Sequence, residues 1–186
     1  MDKTIYPSLS EAVSSILGKG KRIADIASVS GGDINRAYRL TVSDGTRLFM
    51  KCNAKANLPF FLAETGGLEA IASAGAIRTP TVLGVGTDDR YGAFLLLEWI
   101  EAAPRKQDYW ESFGRRLAAL HEWDTSNLIG NGIFGFSHDN FIGAGEQINA
   151  PRESWTEFFR DCRLAPMLAR ADGYLDAADK KNAQYL

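Results

Sequence analysis

A chain of 186 residues, of which 45% are apolar and 11% aromatic, can bury a sizeable core; the composition excludes a disordered polypeptide and points to one large or two small domains. With 21 basic against 23 acidic residues and a formal net charge of -2, the chain lacks the positive excess that would draw a polyanion, so nucleic acid is not expected as a partner. Met1-Asp2-Lys3-Thr4 has no apolar signal core, no run approaches the roughly 20 apolar residues that cross a bilayer, and Cys52 and Cys162 show no C-x-x-C spacing, so a cytoplasmic protein with no membrane contact and no disulfide framework is expected.

Ser8-Leu9-Ser10-Glu11 has capping-box spacing ahead of Ala12, Val13, Ile16 and Leu17, and Gly18 is placed to close a short helix. From Arg22 to Met50 the apolar period drops to two. Breaks at Gly31-Gly32-Asp33 and at Ser43-Asp44-Gly45-Thr46 divide this stretch into at least three predicted antiparallel strands. Phe61, Glu64, Leu68 and Ile71, spaced by three and four, predict a helix over 57–73, and Thr79-Pro80 bars its continuation. Strands over 81–86 and 93–100, joined by a polar turn, complete a β-β-β-α-β-β reading of the first hundred residues.

Ala102-Ala103-Pro104 marks the expected boundary between a sheet unit, 1–103, and a helical unit, 104–186. Trp110, Phe113, Leu117 and Leu120 then share one stripe of a helix over 107–123. A loop rich in Gly, Asn and Phe is expected over 126–150. Pro151 is read as opening a helix with Trp155, Phe158, Phe159 and Cys162 inward, bent or interrupted at Pro166, and a third helix is expected to begin in the tail from Gly173.

The sharpest chemical candidate is Lys51, at the end of Leu48-Phe49-Met50 on a predicted interior strand, where an ammonium is costly unless paired. Glu64, on the only helix before the next strand, is the carboxylate able to reach back, and such a pair aims the ammonium at nucleotide phosphates. The plainer alternative is a lysine snorkelling at a strand end with Glu64 solvated. Upstream, Gly31, Gly32, Asp33 and Asn35 lie in a turn whose glycines let backbone N–H groups approach phosphate oxygens, although Gly-Gly-Asp also serves ordinary hairpins. In Phe94-Leu95-Leu96-Leu97-Glu98-Trp99-Ile100 the last three residues leave the sheet where a flat adenine would meet free backbone groups; as a bare pattern the run is core. His121-Glu122-Trp123-Asp124 is read as a helix end and His138-Asp139-Asn140-Phe141 as a loop cap. No dense metal-ligand spacing occurs, so no metal site is expected within the chain. Cys52 is read as a buried small thiol.

In order, Gly31-Gly32-Asp33-Ile34-Asn35-Arg36-Ala37-Tyr38, Phe49-Met50-Lys51, Phe61-x-x-Glu64-x-x-x-Leu68, Pro80-Thr81-Val82 and Leu95-Leu96-Leu97-Glu98 resemble the amino-terminal lobe of the aminoglycoside and choline kinase-like superfamily. Leu117-Ala118-Ala119-Leu120-His121, Phe134-Gly135-Phe136, Asp139-Asn140-Phe141-Ile142-Gly143, Gln147-Ile148-Asn149 and Trp155-Thr156-Glu157-Phe158-Phe159 through Arg163-Leu164 resemble fructosamine kinases. The resemblance implies an α+β, protein-kinase-like fold: an antiparallel amino-terminal sheet with one main helix, followed by the first helices of a carboxy-terminal lobe. It implies use of ATP with Mg and transfer of phosphate to a sugar hydroxyl of a ketosamine such as a fructosyl-lysine adduct. Lys51 and Glu64 would be the strand-helix ion pair, Gly31 to Asn35 the phosphate-covering turn, Glu98, Trp99 and Ile100 the adenine hinge, and Gln147, Asn149 and Trp155 substrate-side residues.

The His-Gly-Asp-Leu-Trp-x-Gly-Asn motif of such kinases and their later metal-binding Asp do not occur in the 186 residues. The chain is therefore expected to be the nucleotide-binding part of a longer kinase, inactive by itself, with the catalytic Asp and the Mg ligands outside it. A stripe of Trp155, Phe158, Phe159, Met167 and Leu168 is expected to promote homodimerisation. Two other functions stay open: a non-catalytic module that binds nucleotide or a glycated amine, and a related kinase acting on an aminoglycoside or another small alcohol.

Overall fold

Alternation of buried with partly exposed side chains along residues 47–53, and along 40–42 of the neighbouring strand, sorts the two strands into two faces, and two helices pack one on each. The computed structural model describes residues 4–30 and 34–183, so the Gly31-Gly32-Asp33 part of the expected phosphate turn lies outside the described residues. The elements run β1 (Ile5–Tyr6), α1 (Leu9–Leu17), β2 (Ile23–Val29), β3 (Arg36–Val42), β4 (Arg47–Asn53), α2 (Leu58–Ser73), β5 (Val82–Asp88), β6 (Gly92–Glu98) and α3 (Tyr109–His121). The six strands form one sheet in the order β1-β5-β6-β4-β3-β2. The α+β class expected from the sequence is the one found, with two additions: β1 precedes α1, and it pairs with β5 in parallel, so the sheet is not wholly antiparallel.

One face of the sheet carries Leu40, Val42, Leu48, Met50, Cys52, Phe94 and Leu96, all buried under Leu9, Ala12 and Val13 of α1. Ser8 Oγ accepts from the N–H of Glu11 at 3.2 Å, and Asp88 at the tip of the β5–β6 hairpin accepts from Leu9 N–H at 3.1 Å, so both ends of the sheet-to-helix connection satisfy the first turn of α1. The opposite face, with Val85, Ala93, Leu95 and Leu97, packs against Phe61 of α2, flanked by Leu58, Leu62 and Leu68. Each face thus has one helix.

The chain divides into two compact units after Trp123, so α3 falls in the first; the composition shift used to set a boundary at 103/104 lies just ahead of that helix. The second unit holds α4 (Ser126–Ile129), a hairpin of β7 (Asn140–Ile142) and β8 (Gly145–Gln147), then α5 (Trp155–Phe159), α6 (Ala165–Ala171) and α7 (Ala177–Ala183). The hairpin was expected as loop; its strands are three residues each, too short to leave a period in the sequence. Residues Arg160–Leu164 between α5 and α6 form a π-turn, which joins the two helices ahead of Pro166 rather than breaking at it. The inward set is also narrower than expected: Phe158 and Cys162 are buried, whereas Trp155 is 56% exposed and Phe159 41%.

Gly86 marks a close approach between β5 and β1. A Cβ there would stand 2.2 Å from Tyr6 O, which cannot retreat without parting β1 from β5, and 2.8 Å from the buried Phe94 ring of β6. Gly86→Ala is therefore expected to lower unfolding stability by about 2 kcal/mol or more, read from urea denaturation midpoints at constant slope.

Candidate nucleotide site

Cross-strand register places Lys51 of β4 between Ala37 of β3 and Leu95 of β6. Neither neighbour offers the ammonium a partner, and the sheet's own hydrogen bonds are already used, so a carboxylate has to come from the helix covering this face. It does: Lys51 Nζ donates to Glu64 Oε1 of α2 at 2.5 Å, with both side chains about 30% exposed. The two therefore point to the same side of the sheet. They share the wall of a cavity of about 500 Å³ with Val29, Phe49, Leu68, Pro80, Leu97, Glu98, Trp99, Ile100 and Ala102. Its walls are mostly apolar and its one paired ammonium lies at the wall, a combination that suits a flat ring with an anionic tail.

Glu98, which lines this cavity, has its carboxylate engaged. The carboxylate accepts from Thr81 N–H and Thr81 Oγ1, both at 3.2 Å, and is paired with Arg78. The Thr81 N–H above all, with Arg78 behind it, holds the Glu98 carboxyl below its usual range. Glu98 N–H is also taken, by Thr81 O at 2.9 Å, so the residue anchors the end of β6 while the chain turns out through Trp99 and Ile100. Trp99 Nε1 donates to Glu101 at 2.8 Å and its ring lies 6.4 Å from Phe49 at a tilt, closing one side of the cavity.

Of the expected turn, Asn35 is described. Its Oδ1 accepts from Asn53 Nδ2 at 2.7 Å. The sequence reading singled out neither Asn53 nor Phe49, although both alternate with Lys51 and so share its face; the period of two was the available signal. Among the described residues no group of three His, Cys, Asp or Glu side chains is placed to hold a metal ion. The described residues make no cluster fitting Mg.

Gln147, Asn149 and Trp155 belong to the second unit. Gln147 Nε2 donates to Asn140 Oδ1 at 2.8 Å across the β7–β8 pair. Asn149 is 2% exposed and fully engaged: its N–H donates to Asp139 at 2.7 Å, its Nδ2 to His138 O at 3.1 Å, and its Oδ1 accepts from Arg163 Nη2 at 2.7 Å. It therefore ties the hairpin to the helix. Arg163 also donates to Ile148 O at 2.6 Å, and its guanidinium lies 4.6 Å over the Phe158 ring, a spacing of five residues that the π-turn brings into line. Trp155 contacts Phe134, Phe158 and Phe159 and keeps more than half its surface free.

A sheet bearing a lysine paired to a covering helix at an apolar cavity defines the amino-terminal lobe of a kinase-like fold. A family model described as fructosamine kinase matches residues 5–184, and the chain belongs to that family. It is 37% identical over 166 residues to a Synechocystis protein named "Probable ketoamine kinase", covering 89% of this chain and 54% of that one. It is 35% identical over 162 residues to the chloroplastic protein-ribulosamine 3-kinase of Arabidopsis thaliana, covering 87% and 48% respectively. A solved structure from Thermobifida fusca, named "putative fructosamine-3-kinase", superposes with a TM-score of 0.69 at 30% identity, over 92% of this chain and 57% of that one. A second, from Haemophilus somnus, reaches a TM-score of 0.77 at 24% identity over 90% and 54%, a likeness of fold. The chain spans about half the length of the curated relatives it matches.

Two outcomes follow from this geometry. Burial pushes the Cys52 thiol up to about 12, so at pH 8 it stays protonated. Iodoacetamide at pH 8 is expected to leave Cys52 unlabelled in the native chain and to label it fully in urea, read by mass spectrometry of the tryptic peptide. Arg163→Ala leaves the buried Asn149 Oδ1 and the Ile148 carbonyl without this donor, and is expected to cost about 1–3 kcal/mol in chemical denaturation, more than Arg163→Lys.

Proposed function

We propose that this chain is the nucleotide-binding part of an ATP-dependent kinase that phosphorylates a sugar hydroxyl of ketosamines. The observation that carries the proposal is the Lys51–Glu64 ion pair at 2.5 Å on the wall of an apolar cavity of about 500 Å³. Family membership supports the same reading, and so do relatives named as ketoamine and ribulosamine kinases.

In this reading Val29, Phe49 and Leu97 enclose the base, and backbone groups of Trp99 and Ile100 meet its edge where the chain leaves Glu98. Lys51, oriented by Glu64, meets the phosphates as a point donor, with the turn from Gly31 to Asn35 covering them. Magnesium would neutralise phosphate charge, and the described residues supply no cluster to hold it. Trp155 offers an exposed ring to the ketosamine, while Gln147 and Asn149 shape the hairpin beside it. During transfer the bond between the γ-phosphorus and its bridging oxygen breaks, the sugar oxygen bonds to phosphorus, and a carboxylate outside the 186 residues accepts the hydroxyl proton.

The test uses the full-length protein with ATP, Mg and fructosyl-lysine, followed by phosphorus NMR. ADP and a phosphorylated ketosamine are expected, and no product with choline or an aminoglycoside. Lys51→Ala is expected to lower kcat/KM by about 100-fold or more while the far-UV spectrum is retained. Undiminished turnover in that variant refutes the assigned role.

A further inference from the structure

Asn53 is the last residue of β4, two positions after Lys51 and on the same face by strand alternation. Its amide is used at both ends. Nδ2 donates to Asn35 Oδ1 at 2.7 Å and to Ile34 O at 3.4 Å; Oδ1 accepts from Ala54 N–H at 2.8 Å and from Asn57 Nδ2 at 2.9 Å. The amide orientation follows from its backbone partners, since a carbonyl can only accept and an N–H can only donate. Ile34 and Asn35 directly follow the Gly31-Gly32-Asp33 segment. Asn57 is the N-cap of α2, the helix that carries Glu64.

Asn53 is itself held firmly. It pairs with Ala93 across β6, and Gly92, at φ 79°, passes so close that a Cβ there would stand 2.1 Å from Asn53 O. Lys55 and Asp89 close the same corner with an ion pair at 2.7 Å. One short side chain, anchored by β4 and β6, therefore joins Ile34 and Asn35, the lysine strand and the start of the glutamate helix. Asn53 does not line the cavity, so any effect on a ligand passes through what it holds.

We propose that Asn53 is a positioning residue for nucleotide binding: it sets Ile34 and Asn35 against the Lys51 strand and the α2 N-terminus, and so fixes where Asn35 stands relative to the ammonium. This rests on the nucleotide reading above. No other short side chain serves, because Asp lacks the donors and Ser or Thr cannot span both sets of partners.

The experiment titrates the full-length protein with a fluorescent N-methylanthraniloyl ATP in the presence of Mg. Asn53→Asp keeps the oxygens facing Ala54 and Asn57 but sets an oxygen against Ile34 O and removes the donor to Asn35. It is expected to weaken nucleotide binding about tenfold, the scale of one lost well-placed hydrogen bond plus an unpaired carbonyl. The KM for fructosyl-lysine should stay unchanged, a split that general loosening of the fold would not produce. Asn35→Ala should weaken binding as well, and adding it to Asn53→Asp should have little further effect, because both act on one link. If Asn53→Asp does not fold, Asn53→Ala is expected to give the same nucleotide-specific loss. Wild-type affinity in a folded Asn53 variant, or additive losses in the double variant, overturns the positioning role while leaving the site reading intact. A wild-type protein that binds no nucleotide overturns both.

Discussion

An ammonium on an interior strand constrains most of the first unit. Lys51 is flanked across the sheet by Ala37 and Leu95, so its charge can be met only from above the sheet. That requires a helix on this face carrying a carboxylate at the right turn, which α2 provides at Glu64 while Phe61 and Leu68 supply the packing. The same helix therefore both seals the face and orients the charge. Where α2 ends its cover, the cavity begins, bounded by Phe49, Leu97 and the outgoing chain from Trp99 to Ala102.

The other face answers a different demand. Seven buried side chains from β3, β4 and β6 lie under α1, and Gly84 and Gly86 lack the side chains that would hold β1 and α1 away from β5. Cys52 belongs to this face, its thiol kept protonated by burial although it adjoins Lys51 in sequence. Strand alternation thus separates two neighbouring residues into unrelated roles, one inert in the core and one at the cavity.

In the second unit the organising contacts are those of arginines with backbone carbonyls, an amide and a carboxylate. Arg163 reaches Ile148 O and Asn149 Oδ1, Arg170 reaches Glu146 O at 2.6 Å, and Arg152 meets Asp161 at 3.3 Å. A three-residue hairpin cannot bury enough apolar area to hold itself, so the helix run from α5 to α6 holds it through charged donors, and the π-turn shifts the helical phase so that Arg163 stacks on Phe158. The family membership of the chain fits this division: the sheet unit offers the cavity, and the second unit carries the Gln147-Ile148-Asn149 and Trp155 elements by which it resembles fructosamine kinases.

Local pattern was sufficient for α1, α2, α3 and five of the six strands, because periods of two and 3.6 and the turn residues Gly45, Pro80 and Gly92 act over a few positions. It was also sufficient to nominate Lys51 and Glu64, since an unpaired charge on an apolar strand demands a partner and one helix lay within reach. Tertiary structure alone decided that β1 joins β5 in parallel, that Trp155 is exposed while Phe158 is buried, and that Asn149 is a buried tie between hairpin and helix. It alone linked Asn53 to Asn35 and to Asn57. The reason is that a strand of two residues, an amide's choice of partner and the exposed side of an aromatic cluster depend on what lies across space, and no spacing along the chain encodes that.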